Sequence, residues 1–164
     1  MTDALIAWIA ATRLSMWVTG HLWVWPTLET LHFVGLTLLV GNIGVLDLRM
    51  LGLAKRVSIA SLTPFVRLGV LGFVINFTTG LLFIAGEPAQ YLNNVAFYYK
   101  MSCVVLAGAN VGLFYLSGVG RRTEALGPGA DAPAAAKVTA VLSLGLWFGV
   151  MYFGRMLPYI GNSF

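Results

Sequence analysis

The sequence predicts an all-α integral membrane protein: a four-helix bundle with an N-terminal amphipathic helix at the interface. Three observations predict it. Of 164 residues, 59% are hydrophobic and 10% are charged, against about 25% charged in an ordinary soluble domain. Four apolar runs are long enough to cross the hydrocarbon core, which takes roughly 20 residues at about 1.5 Å per residue. The basic residues gather in short loops beside these runs. The length suits one transmembrane domain over residues 1–164, with no separate soluble domain.

The elements follow in order. Residues 2–18 include Asp3 and Arg13 and place Leu5, Trp8, Ile9 and Met16 at near-helical intervals, the pattern of a helix lying in the interface. A cleaved signal peptide does not fit, because the basic leading region and a small-residue cleavage site are missing. The spans are predicted at about 24–51, 62–84, 96–116 and 137–159. The first is long for a simple crossing, so tilt is expected. Pro26 belongs to its first turn, where the missing N–H costs little. Trp23 and Trp25 mark one boundary, and Tyr91, Phe97, Tyr98 and Tyr99 mark it again before the third span. Gly108-x3-Gly112 and Gly145-x3-Gly149 have the spacing that lets membrane helices approach closely. Residues 127–136 are expected to form a flexible loop.

Seven of the ten basic residues (Arg49, Lys55, Arg56, Arg67, Arg121, Arg122 and Lys137) fall on one side. The positive-inside rule makes that side cytoplasmic and puts both termini outside, in the periplasm of a bacterial inner membrane. The net charge of +4 is thus a topology signal, and nucleic acid is not an expected partner. Cys103 is the one cysteine, which excludes an intrachain disulfide and cysteine-rich metal sites.

Ionisable groups inside an apolar span are costly and mark candidate sites. Glu29 and His32 lie one turn apart near the start of the first span and share a face. His32 is roughly 12 Å deep from the outer side. Asn76, Lys100 and Arg155 reach the same outer half from the other three spans. Lys100 or Arg155 is expected to neutralise Glu29, with Glu29 or Asn76 as partner to His32. The bland alternative is a polar clasp that only sets helix register. Asp47 and Arg49 are expected to anchor the opposite end at the headgroups. Asn42 and Asn110 are expected to bond between helices.

The chemistry narrows with the histidine count. A b-type haem needs an imidazole ligand, and only His21 and His32 are present. On one continuous helix these would lie roughly 16 Å apart, too far to share an iron. The open arrangements are a five-coordinate haem on His32, a partner sulfur from Met101, Met151 or Met156, a haem shared between subunits, or a fold-back at Pro26 that recruits His21. Trp25, Glu29, Asn76, Lys100 and Arg155 are the expected cofactor-binding neighbours, with Lys100 and Arg155 meeting propionates. Copper is the alternative metal, since His32, methionine and Cys103 are suitable ligands, although no clustered metal motif is present. A di-iron site needs two Glu-x-x-His motifs, and the chain has one. Nucleophile–base catalysis, phosphate loops and a transport pathway find no residues to carry them.

Pro26-x-x-Glu29-x-x-His32, Asp47-Leu48-Arg49 and the stretch from Thr79-Gly80 to Asn94-x-x-Phe97-x-x-Lys100 together resemble a family of small bacterial four-helix inner-membrane proteins. More distantly, the chain is similar to the copper-resistance D family and to four-helix membrane b-type cytochromes. The resemblance implies haem or copper near the outer face and electron exchange with quinone. Those cytochromes draw histidines from several helices, whereas here only His32 lies within a span. The expected function is a small cytochrome-like electron carrier between quinone and an outer-side partner. The alternatives are an accessory subunit of a larger membrane complex, or a homo-oligomer, and a copper-handling protein.

Overall fold

The computed structural model describes residues 2–160, so Met1 and residues 161–164 of the expected domain lie outside it. The chain is helical: α1 (Thr2–Ala10), α2 (Arg13–Gly20), α3 (Val24–Met50), a 3-10 turn (Ala60–Leu62), α4 (Thr63–Gly86), α5 (Pro88–Leu92), α6 (Val95–Leu116), α7 (Val119–Glu124) and α8 (Ala134–Met156). Four of these helices are long and apolar enough to cross a membrane. The all-α membrane bundle is thus the architecture of the chain, with span ends moved by a few residues. The first span has 27 residues, about 40 Å of helix against a core of about 30 Å.

The N-terminal segment is two helices rather than one. Thr12 is extended at φ −72°, ψ 151° and caps α2 by accepting from the Ser15 amide. Its hydroxyl donates to Ile9 O at 2.7 Å. One threonine therefore closes α1 and opens α2, a standard use of an N-cap side chain. α2 lies against α4, and α1 against α5. Val18 of α2 is fully buried among Val24, Leu28 and Phe83, so this segment covers the end of the bundle.

The spans form two pairs. α3 lies along α4, α6 lies along α8, and α3 joins the pairs by touching α8. α4 and α6 make no extended contact, which leaves one side of the bundle parted. At the basic end Met50, Ile59, Phe114, Ala132, Ala136 and Ala140 fill the interior. At the other end Val18, Val24, Leu28 and Phe83 fill the interior, and His32 meets Phe83.

Close approach is between α3 and α4. A Cβ on Gly72 would meet Gly35 O and Leu39 N at 2.5 Å, and one on Gly69 would meet Ile43 Cδ1 at 2.9 Å. The spaced glycines of the later spans behave differently from expectation. Gly108, Gly112 and Gly145 have nothing within 4 Å of a built Cβ, and only Gly149 is tight, against Cys103 Sγ at 2.9 Å. Spacing alone does not say which face a glycine presents. Asn110 does bond between helices, donating to Thr139 O at 3.0 Å, whereas Asn42 turns back to Leu38 O of its own helix.

The basic end also departs from expectation. Asp47 and Arg49 are 3% and 2% exposed, so neither is a headgroup anchor. Arg49 Nε donates to Val57 O at 2.6 Å, and Nη2 donates to Lys55 O and Ala130 O at 3.2 Å each. The residues 127–136 are consequently pinned. Gly129 N donates to Lys55 O at 2.8 Å, and Asp131 bridges Lys55 and Lys137 at 3.2 and 2.8 Å. Those two lysines hold the Asp131 carboxyl below its ordinary 3.8, mainly through their hydrogen bonds. Asp47 interacts with Ser143 of α8, while its Oδ2 is buried without a hydrogen-bond partner.

Candidate functional site

The site is built from α3 and α4 outward. Because Gly35, Gly69 and Gly72 let these helices touch, His32 on α3 reaches Thr79 on α4. His32 Nδ1 and Thr79 Oγ1 are 2.7 Å apart. The Thr79 oxygen is also 2.8 Å from Ile75 O and 3.2 Å from Asn76 O. Both carbonyls can only accept, and a hydroxyl has one proton to donate. The hydroxyl proton therefore serves the α4 carbonyls, and its oxygen accepts from His32 Nδ1–H. We assign the Nδ1–H tautomer on this ground, which leaves Nε2 as a bare lone pair. Among the described residues Nε2 has no hydrogen-bond partner.

Aromatic rings wall the imidazole. Phe83 meets it edge-on with centroids 5.4 Å apart. Trp25 lies 5.2 Å from Phe83 on one side, and Tyr91 stacks on Phe83 at 6.4 Å on the other. Tyr91 belongs to α5, beyond the spans. Burial first, then the nearby Glu29 and Glu87 carboxylates, push its phenol up to about 12.

Lys100 approaches from α6. Its ammonium is close enough for its charge to act on the His32 ring. It lies along α8 at Gly154: Lys100 Cδ, Cε and Nζ are each 3.7 Å from where a Gly154 Cβ would stand, ordinary contact distance. The lysine forms none of the ion pairs found among the described residues. His32, Thr79 and Phe83 thus meet between α3 and α4, while Lys100 of α6 lies beside Gly154 of α8.

Other expected members are placed differently. Glu29 is exposed rather than buried, and it pairs with neither Lys100 nor Arg155. It accepts from Trp25 Nε1 at 3.2 Å. Arg155 is exposed and lies over the Tyr159 ring at 5.9 Å. Asn76 does not bond to His32; its Nδ2 donates to Gly72 O at 3.1 Å, and its Oδ1 is buried without a partner. His21 ends α2, with Nδ1 3.0 Å from Trp17 O, in an exposed cluster with Trp17 and Trp23. The chain turns at His21–Trp23, ahead of Pro26, and no hydrogen bond or ring contact joins the two histidines. Met101 is exposed, while Met151, Met156 and Cys103 are half-buried.

Phe83 and Gly154 were not singled out in the sequence; Thr79 entered only as part of a motif stretch and Tyr91 only as a boundary aromatic, neither as a site residue. A signal for Thr79 was present: it is a hydroxyl one turn from Asn76 in an otherwise apolar span. Among the described residues no group of three or more His, Cys, Asp or Glu side chains could hold a metal ion. The arrangement therefore offers one imidazole lone pair, one ammonium and an aromatic wall. Comparison with protein-family models, curated proteins and solved structures finds no match to this chain.

Proposed function

We propose that the chain is a small membrane-embedded b-type haem protein, with His32 as the axial ligand. The observation that carries this reading is the His32–Thr79 hydrogen bond, which leaves Nε2 free for a ligand. Ligating histidines commonly donate their other ring N–H to a fixed acceptor, which orients the ring and raises its basicity. A porphyrin supplies four nitrogens to its iron, so a single protein ligand suffices. Free copper needs several protein donors, and that alternative finds less support.

A bound haem would supply a one-electron redox centre. The chain's own residues do the rest. Thr79 holds the imidazole, Phe83 limits its rotation, and Lys100 offers a charge to a propionate. A flat ring would enter on the side where α4 and α6 make no extended contact, and quinone would exchange electrons from there. The resemblance to four-helix b-type cytochromes and copper-resistance D proteins is in keeping with this. The accessory-subunit alternative joins a clasp of Glu29, His32 and Arg155 to tryptophans that dock a larger complex; Glu29 and Arg155 engage Trp25 and Tyr159 instead, while Trp8, Trp17 and Trp23 are exposed. We place the protein in a bacterial inner membrane with the basic loops cytoplasmic.

The test is direct. The protein is expressed with ample haem and purified in mild detergent. Oxidised and reduced visible spectra are recorded, and iron and copper are measured. A Soret band that is lost in His32→Ala and kept in His21→Ala is expected. Absence of haem, or full haem content in His32→Ala, would overturn the reading.

A further inference from the structure

The bundle carries a shallow groove at its basic end, between α4 and α6, which make no extended contact with each other. Met50 of α3 lies at its base, Thr63 and Val66 of α4 line one side, and Tyr115 of α6 and Glu124 of α7 line the other. A sharp turn builds that second side. Gly118, in the left-handed region at φ 75°, follows α6 and brings α7 against it. A Cβ on Gly120 would meet Tyr115 Cδ1 at 2.9 Å, so α7 lies directly on the Tyr115 ring. The hydroxyls of the groove are satisfied from within. Thr63 donates to Ala60 O and Thr123 to Val119 O, each at 2.8 Å, and Tyr115 donates to Glu124 Oε1 at 3.3 Å. What remains suits hydrocarbon.

Cations stand beside this apolar surface. Arg67 follows Thr63 by four residues, one turn along the same face of α4, and Arg121 precedes Glu124 by three, on the same face of α7. Both arginines are exposed, and neither side chain has a hydrogen bond or ion pair among the described residues. Other cations at this end are engaged: Arg49 by carbonyls, and Lys55 and Lys137 by Asp131. Arg67 is the more telling of the two, because it lies within the first turns of an apolar span. A cation placed there carries its charge back to headgroup level along its own stem. An anion at that level with a hydrocarbon tail answers both the arginines and the groove.

We propose that the groove binds one acidic phospholipid from the leaflet at the basic end, with an acyl chain between α4 and α6 and the phosphate held by Arg67 and Arg121. Basic pockets between membrane helices are a recurrent way of holding such headgroups. Charge favours an acidic lipid over a zwitterionic one. Glu124 is the one acidic residue lining the groove among those described, and Tyr115 already occupies it. The lipid site does not depend on a cofactor at His32.

The full chain, purified in mild neutral detergent, is titrated with dioleoylphosphatidylglycerol and separately with dioleoylphosphatidylcholine. Native mass spectrometry counts the lipids bound. One phosphatidylglycerol should bind per chain, more tightly than phosphatidylcholine, which has the same acyl chains. Arg67→Gln and Arg121→Gln should each weaken it about fivefold, the usual worth of one basic residue at a charged leaflet. Arg67→Lys should keep most of the affinity, since an ammonium also holds a phosphate. Val66→Phe fills the groove without changing charge, so it should weaken binding too. Arg13→Gln removes a charge at the opposite end and should change nothing. Circular dichroism checks that each variant is folded. Equal binding of the two lipids, or equal losses in Arg67→Gln and Arg13→Gln, would overturn the site. Full binding in Val66→Phe would put the lipid outside the groove and overturn it as well.

Discussion

Two side chains carry most of the specificity at the scale of single residues. Thr79 fixes the His32 ring by accepting its Nδ1–H. Thr79→Val keeps the shape and removes that acceptor. On the proposed haem reading, affinity for haem should fall about ten- to a hundredfold, the usual loss when a ligand's hydrogen-bond partner is removed. Thr79→Ser should restore it, and haem titration in detergent measures both. Arg49 is the other case. Its guanidinium satisfies carbonyls on two different loops. Arg49→Ala should lower the unfolding free energy by about 3 kcal/mol, because three hydrogen bonds from a buried charged donor are lost. Arg49→Lys should not restore it, since a point-charge ammonium cannot replace the planar fork. Denaturant titration of the detergent-solubilised protein decides both.

Contacts between elements explain what the sequence could and could not reveal. The four spans were legible to within a few residues, because their length and hydrophobicity are dictated by the bilayer itself. Partnerships were not. Glu29 and His32 share a helix face by spacing, yet one bonds within α3 and the other across to α4. The two-helix form of the N-terminal segment turned on Thr12, whose hydroxyl could equally have bonded within a continuous helix. Glycine spacing likewise left the contact face undecided. Gly72→Ala should therefore destabilise by about 1–3 kcal/mol, because backbone atoms of α3 must move. Gly108→Ala should be neutral, or stabilising by up to about 1 kcal/mol through helix propensity. Equal effects of the two would contradict the packing described.

Across the whole molecule, charge is segregated by end. Lys55, Lys137 and Asp131 form an exposed cluster that ties the loop after α3 to the loop before α8. The Asp131 carboxyl is held below its ordinary value. Its stabilising contribution is thus present above that ordinary value and disappears as pH falls through the lower, folded one. Wild-type protein should lose melting temperature on acidification below about pH 4, and Asp131→Asn should lose less. Added salt should shrink the difference, because the pair is exposed. Membrane orientation has its own measurement. In a Cys103→Ser background, a cysteine at Gly127 should react with an impermeant thiol reagent only after the inner membrane is opened. One at Thr2 should react without opening it.

The Arg49 clasp has a consequence for biogenesis. Val57 and Lys55 follow Arg49 closely in the chain, but Ala130 lies 81 positions later. A nascent chain that has inserted only α3 and α4 can make two of the three bonds. The third forms when the loop before α8 has emerged, so the guanidinium registers that α6 and the loop after it have arrived. Chains truncated just before that loop should be degraded faster than chains truncated just after it, and the difference should vanish in Arg49→Ala.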